Sequence, residues 1–216
     1  MTKLTKTLIQ CDFDGTVTEE DVSFLLLDAF ADGQWRQKLK DHQAGKISLG
    51  RFNMEAFAMI KASRSSLLKL ARREVKIRAG FPEMVASCQR RGYRFVIVSN
   101  GLDFYIKGIL SNLGLADIEV FAARTHFHPE GLKVQYLGPD GHPLETDFKK
   151  AYTDLFLGDG YKVLYIGNGT SDLAPARQCH HIFATDSLLN HCRATKLDCT
   201  PFTNFSEVLK VLETWP

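Results

Sequence analysis

The chain has 216 residues, 44% of them hydrophobic and 24% charged, and a net charge of +2. That length buries a proper core, as one domain or one domain with an insert, and the composition is that of a globular protein. So small a net charge argues against a nucleic-acid or membrane surface, and the basic clusters at Arg72-Arg73 with Lys76 and Arg78, and at Arg90-Arg91, read as solvated helix faces or ends.

Several other classes also drop out. No apolar run approaches the length of a membrane span. Met1 leads through two lysines directly into the first predicted strand, which leaves no room for a cleavable signal. The five cysteines are an odd number without regular spacing, so reduced thiols and a cytoplasmic setting are expected. Cys179-His180-His181 and His191-Cys192 lack the spacing of a zinc site.

In chain order, Leu8-Ile9 open a short buried strand that runs into Asp12-Phe13-Asp14-Gly15-Thr16-Val17-Thr18. Asp12 and Asp14 are two residues apart, so in extended chain they point to one side. Two such acids repel unless a hard cation such as Mg²⁺ sits between them. Gly15 lets the chain leave the strand with a backbone angle that other residues resist. One carboxylate of such a pair can attack phosphorus, and the other can protonate the leaving oxygen and then activate water.

After Thr18 the pattern is helical for about sixty residues. Val22, Leu25, Leu26 and Phe30 mark one helix, and Trp35 to Gln43 a second. Ser48 caps a third, and Ser65 or Ser66 starts a fourth. The block reads as a helical insert packed over the first motif. Gly80-Phe81-Pro82 opens a helix that ends at Gly92. Tyr93 to Val98 is the clearest strand; it ends in Ser99-Asn100-Gly101 and passes into a helix from about Leu102 to Leu113. Ile118 to Phe121 is a further strand, and Arg124 to Leu137 a hairpin around Pro129-Glu130-Gly131. A helix opens at Lys149-Lys150. Val163 to Ile166 is a strand followed by Gly167-Asn168-Gly169-Thr170-Ser171-Asp172 and a helix through Arg177. His181 to Ala184 is a short strand, and two helices close the chain, the second capped by Asn204 or Ser206.

Strands alternating with helices predict an α/β fold with a doubly wound parallel sheet. In such sheets ligands bind beyond the carboxyl ends of the strands. Three strands end in polar turns, so Asp12, Asp14, Ser99, Asn100, Gly101, Asn168 and Asp172 are expected in one crevice, with Lys149 beside them. The chemistry this suggests is phosphoryl transfer, where catalysis is largely positioning and charge neutralisation. Ser99 offers a hydroxyl, Asn100-Gly101 backbone N–H groups near a helix N-terminus, and Lys149 a compact positive charge. Mg²⁺ would bridge Asp12 and a phosphate oxygen, with Asp172 holding it from the far side.

The order acid pair, Ser, Lys, acid resembles the four motifs of the haloacid-dehalogenase-like phosphatases, over nearly the whole chain. The tail from Asp186 to Arg193 looks like the methionine-salvage branch, a close relative of the phosphoserine phosphatases. The resemblance implies a Rossmann-like core over residues 1–17 and 81–216 and a helical-bundle cap over 18–80. It implies a Mg²⁺-dependent phosphomonoesterase of a small phosphorylated metabolite. Asp12 is its nucleophile and Asp14 its acid/base. Ser99, Asn100, Gly101 and Lys149 seat the phosphate, and Asp12, Asp14, Asn168 and Asp172 form the metal site, Asp14 through its backbone carbonyl. Lys149 rather than Lys150 matches by distance to the last motif, though its neighbour stays open.

Two departures stand out. Asn168 replaces the usual acid, which predicts weaker metal binding and leaves a non-catalytic phosphate-binding protein as the alternative. Asp21 stands where phosphoserine phosphatases hold an acid, but no arginine matches theirs, Arg51 being out of step. That argues against phosphoserine as the substrate. The sequence sets no oligomeric state.

Overall fold

The computed structural model describes residues 6–215. Its centre is β1 (Thr7–Cys11), every residue of which is buried. A strand flanked on both sides and covered on both faces needs an apolar run rather than alternation. β2 (Arg94–Leu102) and β5 (Lys162–Gly167) pair with β1 in parallel. Outside them lie β3 (Glu119–His128) and the antiparallel β4 (Gly131–Gln135) on one side, and β6 (His181–Ala184) and the two-residue β7 (Thr200–Pro201) on the other. The order is β4-β3-β2-β1-β5-β6-β7, which bears out the mostly parallel sheet. The direction of winding reverses at β1, the place where such sheets open a crevice.

Register decides which residues meet there. Cys11 lies opposite Ile97 on β2 and Ile166 on β5. β1 and β5 therefore end almost level while β2 runs on past them, and Asp12, Ser99 and Asn168 emerge along one edge.

Helices α5 (Phe81–Arg90), α6 (Asp103–Asn112), α7 (Phe148–Gly158), α8 (Leu173–Ala176), α9 (Asp186–Thr195) and α10 (Phe205–Glu213) flank the sheet, and α10 is capped by Asn204, whose side chain accepts from Glu207 N. Between β1 and α5 lie α1 (Val22–Phe30), α2 (Trp35–Gln43), α3 (Leu49–Phe57) and α4 (Arg64–Glu74). The chain enters and leaves this group through adjacent segments: Glu19 N donates to Lys76 O (2.9 Å) and Arg78 N to Val17 O (2.8 Å).

Four local expectations need correction. The cap of α4 is Ser63, whose hydroxyl accepts from Ser66 N at 3.2 Å, not Ser65 or Ser66. Clustered serines offer the same capping chemistry, and packing chooses among them. Ile118–Phe121 and the first arm of the hairpin are one continuous strand, because β3 pairs first with β2 and then with β4. β7 was not foreseen; two residues carry no period. Arg78 is not on a solvated face: its guanidinium donates to Gly15 O (2.8 Å), Thr16 O (2.9 Å) and Thr203 O (3.0 Å), tying down the turn after β1.

Candidate active site

All eight residues singled out at the strand ends meet here. Lys149, in the first turn of α7, is only 3% exposed. Its Nζ lies 2.8 Å from Asp12 Oδ1 and 2.6 Å from Asp172 Oδ1, and both acids are buried. A buried cation held by two buried carboxylates costs desolvation and is tolerated only with good geometry. Burial works against the charge of Lys149, and Asp12 and Asp172 overcome it, holding the ammonium above its ordinary value. Burial pushes Asp12 up to about 7, against the pull of Lys149 and with a further push from Asp172. Lys150 is half-exposed and pairs with Asp154 at 2.6 Å instead.

Asp172 is fully engaged by the protein. Oδ1 accepts from Lys149 and from Tyr165 OH (2.7 Å), and Oδ2 from the amides of Asn168 (3.0 Å) and Gly169 (2.8 Å). Four donors account for the acceptor sites of one carboxylate. This acid anchors the lysine and folds the loop after β5; little of it remains for a cation.

Asp14 faces the other way, toward α1. Its Oδ1 accepts from Val22 N at the start of that helix (3.0 Å), and its Oδ2 from Tyr105 OH (2.6 Å), which also meets Ser23 Oγ at 2.9 Å. Burial, and then the nearby Asp21, holds Asp14 well above the usual carboxylate range, against the hydrogen bond from Tyr105. A carboxyl whose affinity for its proton is raised by burial is suited to proton transfer.

Two glycines make the close fit feasible. Gly15 takes φ +74°, so the chain turns off β1 without strain. At Gly101 a Cβ would lie 2.3 Å from Asp14 Oδ2 and 2.1 Å from Tyr105 OH. Only a residue without a side chain lets β2 pass this near the acid. Ser99 is buried at the same edge, and its Oγ accepts from Gly101 N at 3.0 Å, leaving its own proton to donate. The Asn100 carbonyl is held by Asn53 Nδ2 of α3 (3.0 Å) and by Tyr136 OH. Its role is thus to fasten the strand end to α3 as well as to line the pocket.

Asn168 lies against Gly15, and its Oδ1 accepts from Thr16 Oγ1 at 3.0 Å. Asp12, Asp14, Ser99, Lys149 and Asn168 line one cavity of about 300 Å³, roofed by residues of α1 to α3 such as Phe24, Leu39 and Phe52. A carboxylate, an amide oxygen and a backbone carbonyl are hard oxygen donors, the kind Mg²⁺ accepts alongside water and substrate phosphate. Among the described residues no three His, Cys, Asp or Glu side chains converge into a cage of their own. The donor set therefore fits a cation that takes few protein ligands. His180 accepts from Val163 N, His181 meets Thr200 Oγ1 and His191 meets Arg177, so these rings are engaged elsewhere.

The sequence reading missed Tyr105, Ser23, Tyr165, Thr16 and Arg78. Tyr105, Ser23, Thr16 and Arg78 act through contacts distant in the chain, and Tyr165 through a side-chain bond to Asp172 seven positions on, which the apolar strand pattern around it does not mark. A lone polar Gln10 inside an apolar strand was a usable signal. Its amide is buried and ties Thr153 and Lys149 O of α7 to β1 at 2.8 and 3.2 Å.

Residues 9–177 match the model of the haloacid dehalogenase-like hydrolase family. The chain is 30% identical, over 97% of both chains, to a protein of Geobacillus kaustophilus named 2-hydroxy-3-keto-5-methylthiopentenyl-1-phosphate phosphatase. It is 31% identical to a Bacillus velezensis protein of the same name, over 95% of this chain and 89% of that one. A solved phosphoserine phosphatase, described as a phospho-aspartyl intermediate analogue, superposes with a TM-score of 0.68 at 20% identity, over 96% of this chain and 99% of that one. Among the described residues no helix is long and apolar enough to cross a membrane.

Proposed function

The chain belongs to the haloacid dehalogenase-like hydrolases and is a phosphatase by that kinship, and from this premise we propose a Mg²⁺-dependent phosphomonoesterase that works through a phosphorylated Asp12. The observation that carries the reading is the placement of Lys149 between Asp12 and Asp172 at the level carboxyl ends of β1 and β5. This makes Asp12 an aligned, partly neutralised nucleophile. Ser99, whose hydroxyl accepts from the Gly101 amide and keeps its own proton free, sits at the same edge to receive a phosphoryl oxygen. Asp14, its proton affinity raised by burial, delivers a proton to the leaving oxygen and then takes one from water. Asp12, the Asp14 carbonyl and Asn168 would hold Mg²⁺, which neutralises phosphoryl charge when bound. Asp172 is assigned as the anchor of Lys149 rather than as a direct ligand.

Residues 18–80 serve as the lid over a core formed by residues 1–17 and 81–216, and the setting is the cytoplasm. The substrate is a small phosphorylated metabolite, and we take it to be 2-hydroxy-3-keto-5-methylthiopentenyl 1-phosphate. Phosphoserine fits less well. Asp21 is spent on capping α1 through Phe24 N, and Arg51 is exposed and paired with Glu55, so among the described residues no arginine lines the cavity to meet a substrate carboxylate.

The test is turnover of p-nitrophenyl phosphate by purified protein with Mg²⁺. Loss of turnover in Asp12→Asn and on chelation is expected. Tight phosphate binding without turnover would make the chain a phosphate-binding protein instead, a reading that only Asn168 favours. A panel of phosphorylated metabolites, ranked by kcat/KM, tests the substrate.

A further inference from the structure

A second cavity of about 270 Å³ adjoins the first, and the two share His42, Leu49, Asn100, Lys149, Thr170 and Ser171 as a common wall. It runs between the α2–α3 corner and the core, past Tyr136, Ala174 and Pro175, and opens beside the exposed Glu145 and Asp147. The Gly50 amide donates to Glu145 O at 3.2 Å, closing one side of it. Its charge balance is distinctive. Lys149 is spent on two carboxylates and Lys150 on Asp154, so among the described residues the unpaired charges at the mouth are the acids.

His42 stands where the two cavities join. Its ring stacks on Phe52 at 5.9 Å with an 18° interplanar angle, and its Nδ1 lies 3.1 Å from Ile47 O. A carbonyl oxygen can only accept, so Nδ1 carries the hydrogen, and in the neutral ring Nε2 is an acceptor. No protein donor meets Nε2 among the described residues. The stacking and the Nδ1 bond fix the ring, so Nε2 is an oriented acceptor beside the passage.

We propose that His42 is a specificity-determining residue for the leaving group, resting on the phosphatase reading above. The leaving group lies in the second cavity, where His42 Nε2 accepts a hydrogen bond from a hydroxyl adjacent to the scissile C–O–P linkage. Leu49, Ala174 and Pro175 take its apolar tail. Glu145 and Asp147 disfavour a carboxylate at the mouth. The class selected is a neutral, hydroxylated phosphomonoester with an apolar tail.

Three probes separate the parts: 2-hydroxyhexyl phosphate, hexyl phosphate and phosphoserine, with p-nitrophenyl phosphate as reference. Wild type should favour 2-hydroxyhexyl over hexyl phosphate by about tenfold in kcat/KM, the value of one oriented hydrogen bond. His42→Leu should bring that ratio, with each ester referred to p-nitrophenyl phosphate in the same variant, within about twofold, and His42→Gln should recover part of it. Ala174→Trp, on an exposed position, should depress both hexyl esters alike by about tenfold. Glu145→Lys should raise relative use of phosphoserine by about tenfold, an attraction that fades with salt. An unchanged ratio in His42→Leu, or no preference in wild type, overturns the proposal. No turnover of any probe, p-nitrophenyl phosphate included, would instead count against the phosphatase reading itself.

Discussion

Replacing Lys149 by Met removes the cation between Asp12 and Asp172 and keeps most of the side chain's length. Breaking a buried ion pair from one side costs about 3–5 kcal/mol, because a charge is left without a partner. Asp172 keeps Tyr165 OH and two amides, so the deficit falls mainly on Asp12. Its size must then depend on pH. Asp12 titrates at about 7 in the folded protein, above its ordinary unfolded value. A raised folded-state pKa favours folding below the unfolded value and loses that contribution as pH climbs through 7. In the variant the lowering influence of Lys149 is gone, so Asp12 rises further and must stay protonated or be charged alone. At about pH 8 the full 3–5 kcal/mol is expected. Near pH 5 Asp12 is protonated in both proteins, and the difference should fall to roughly half or less. Urea unfolding followed by circular dichroism, with EDTA present and equal slopes required, measures both. An equal deficit at the two pH values, or one below about 1 kcal/mol at pH 8, would refute the buried triad.

Gly101→Ala should move the Asp14 carboxylate, since the new methyl cannot occupy space 2.3 Å from Oδ2. We expect kcat to fall by about 10²–10⁴ from loss of the general acid, with about 1–3 kcal/mol of destabilisation, checked by steady-state kinetics and urea unfolding. Mg²⁺ binding should release a proton below about pH 7, so the thermal shift on adding Mg²⁺ should grow from pH 5.5 to pH 8 as Asp12 ionises. Asn168→Asp adds a carboxylate beside Gly15 and should tighten Mg²⁺ by about tenfold, measured as the half-saturating Mg²⁺ for turnover.

Much of the fold was legible because its determinants are local. The apolar runs around Leu8-Ile9, Tyr93–Val98 and Val163–Ile166 became the central strands, and the polar turns after them met at one edge. The four helices after β1 followed from their periodicity and caps, such as Ser48 accepting from Arg51 N. What stayed hidden depends on the folded chain. Tyr105 bonds Asp14 across 91 positions, and Thr16 reaches Asn168 across 152. The four donors gathered on Asp172, the Lys149 ammonium from 23 positions away among them, are likewise set by the folded loop. Arg78 lay in a basic cluster that looked solvated, yet it donates to carbonyls a turn before it in space and 62 to 125 positions away in sequence.

In this mechanism the phosphoryl group passes through Asp12. Rapid acid quenching of Asp14→Asn mixed with p-nitrophenyl phosphate, whose leaving group departs without a proton, followed by peptide mass spectrometry, tests this, since without a base to activate water the covalent adduct should persist. One added phosphoryl mass is expected on the peptide carrying Asp12, absent when Asp12→Asn is also introduced. Phosphate found on another side chain, or turnover that survives Asp12→Asn, would contradict it.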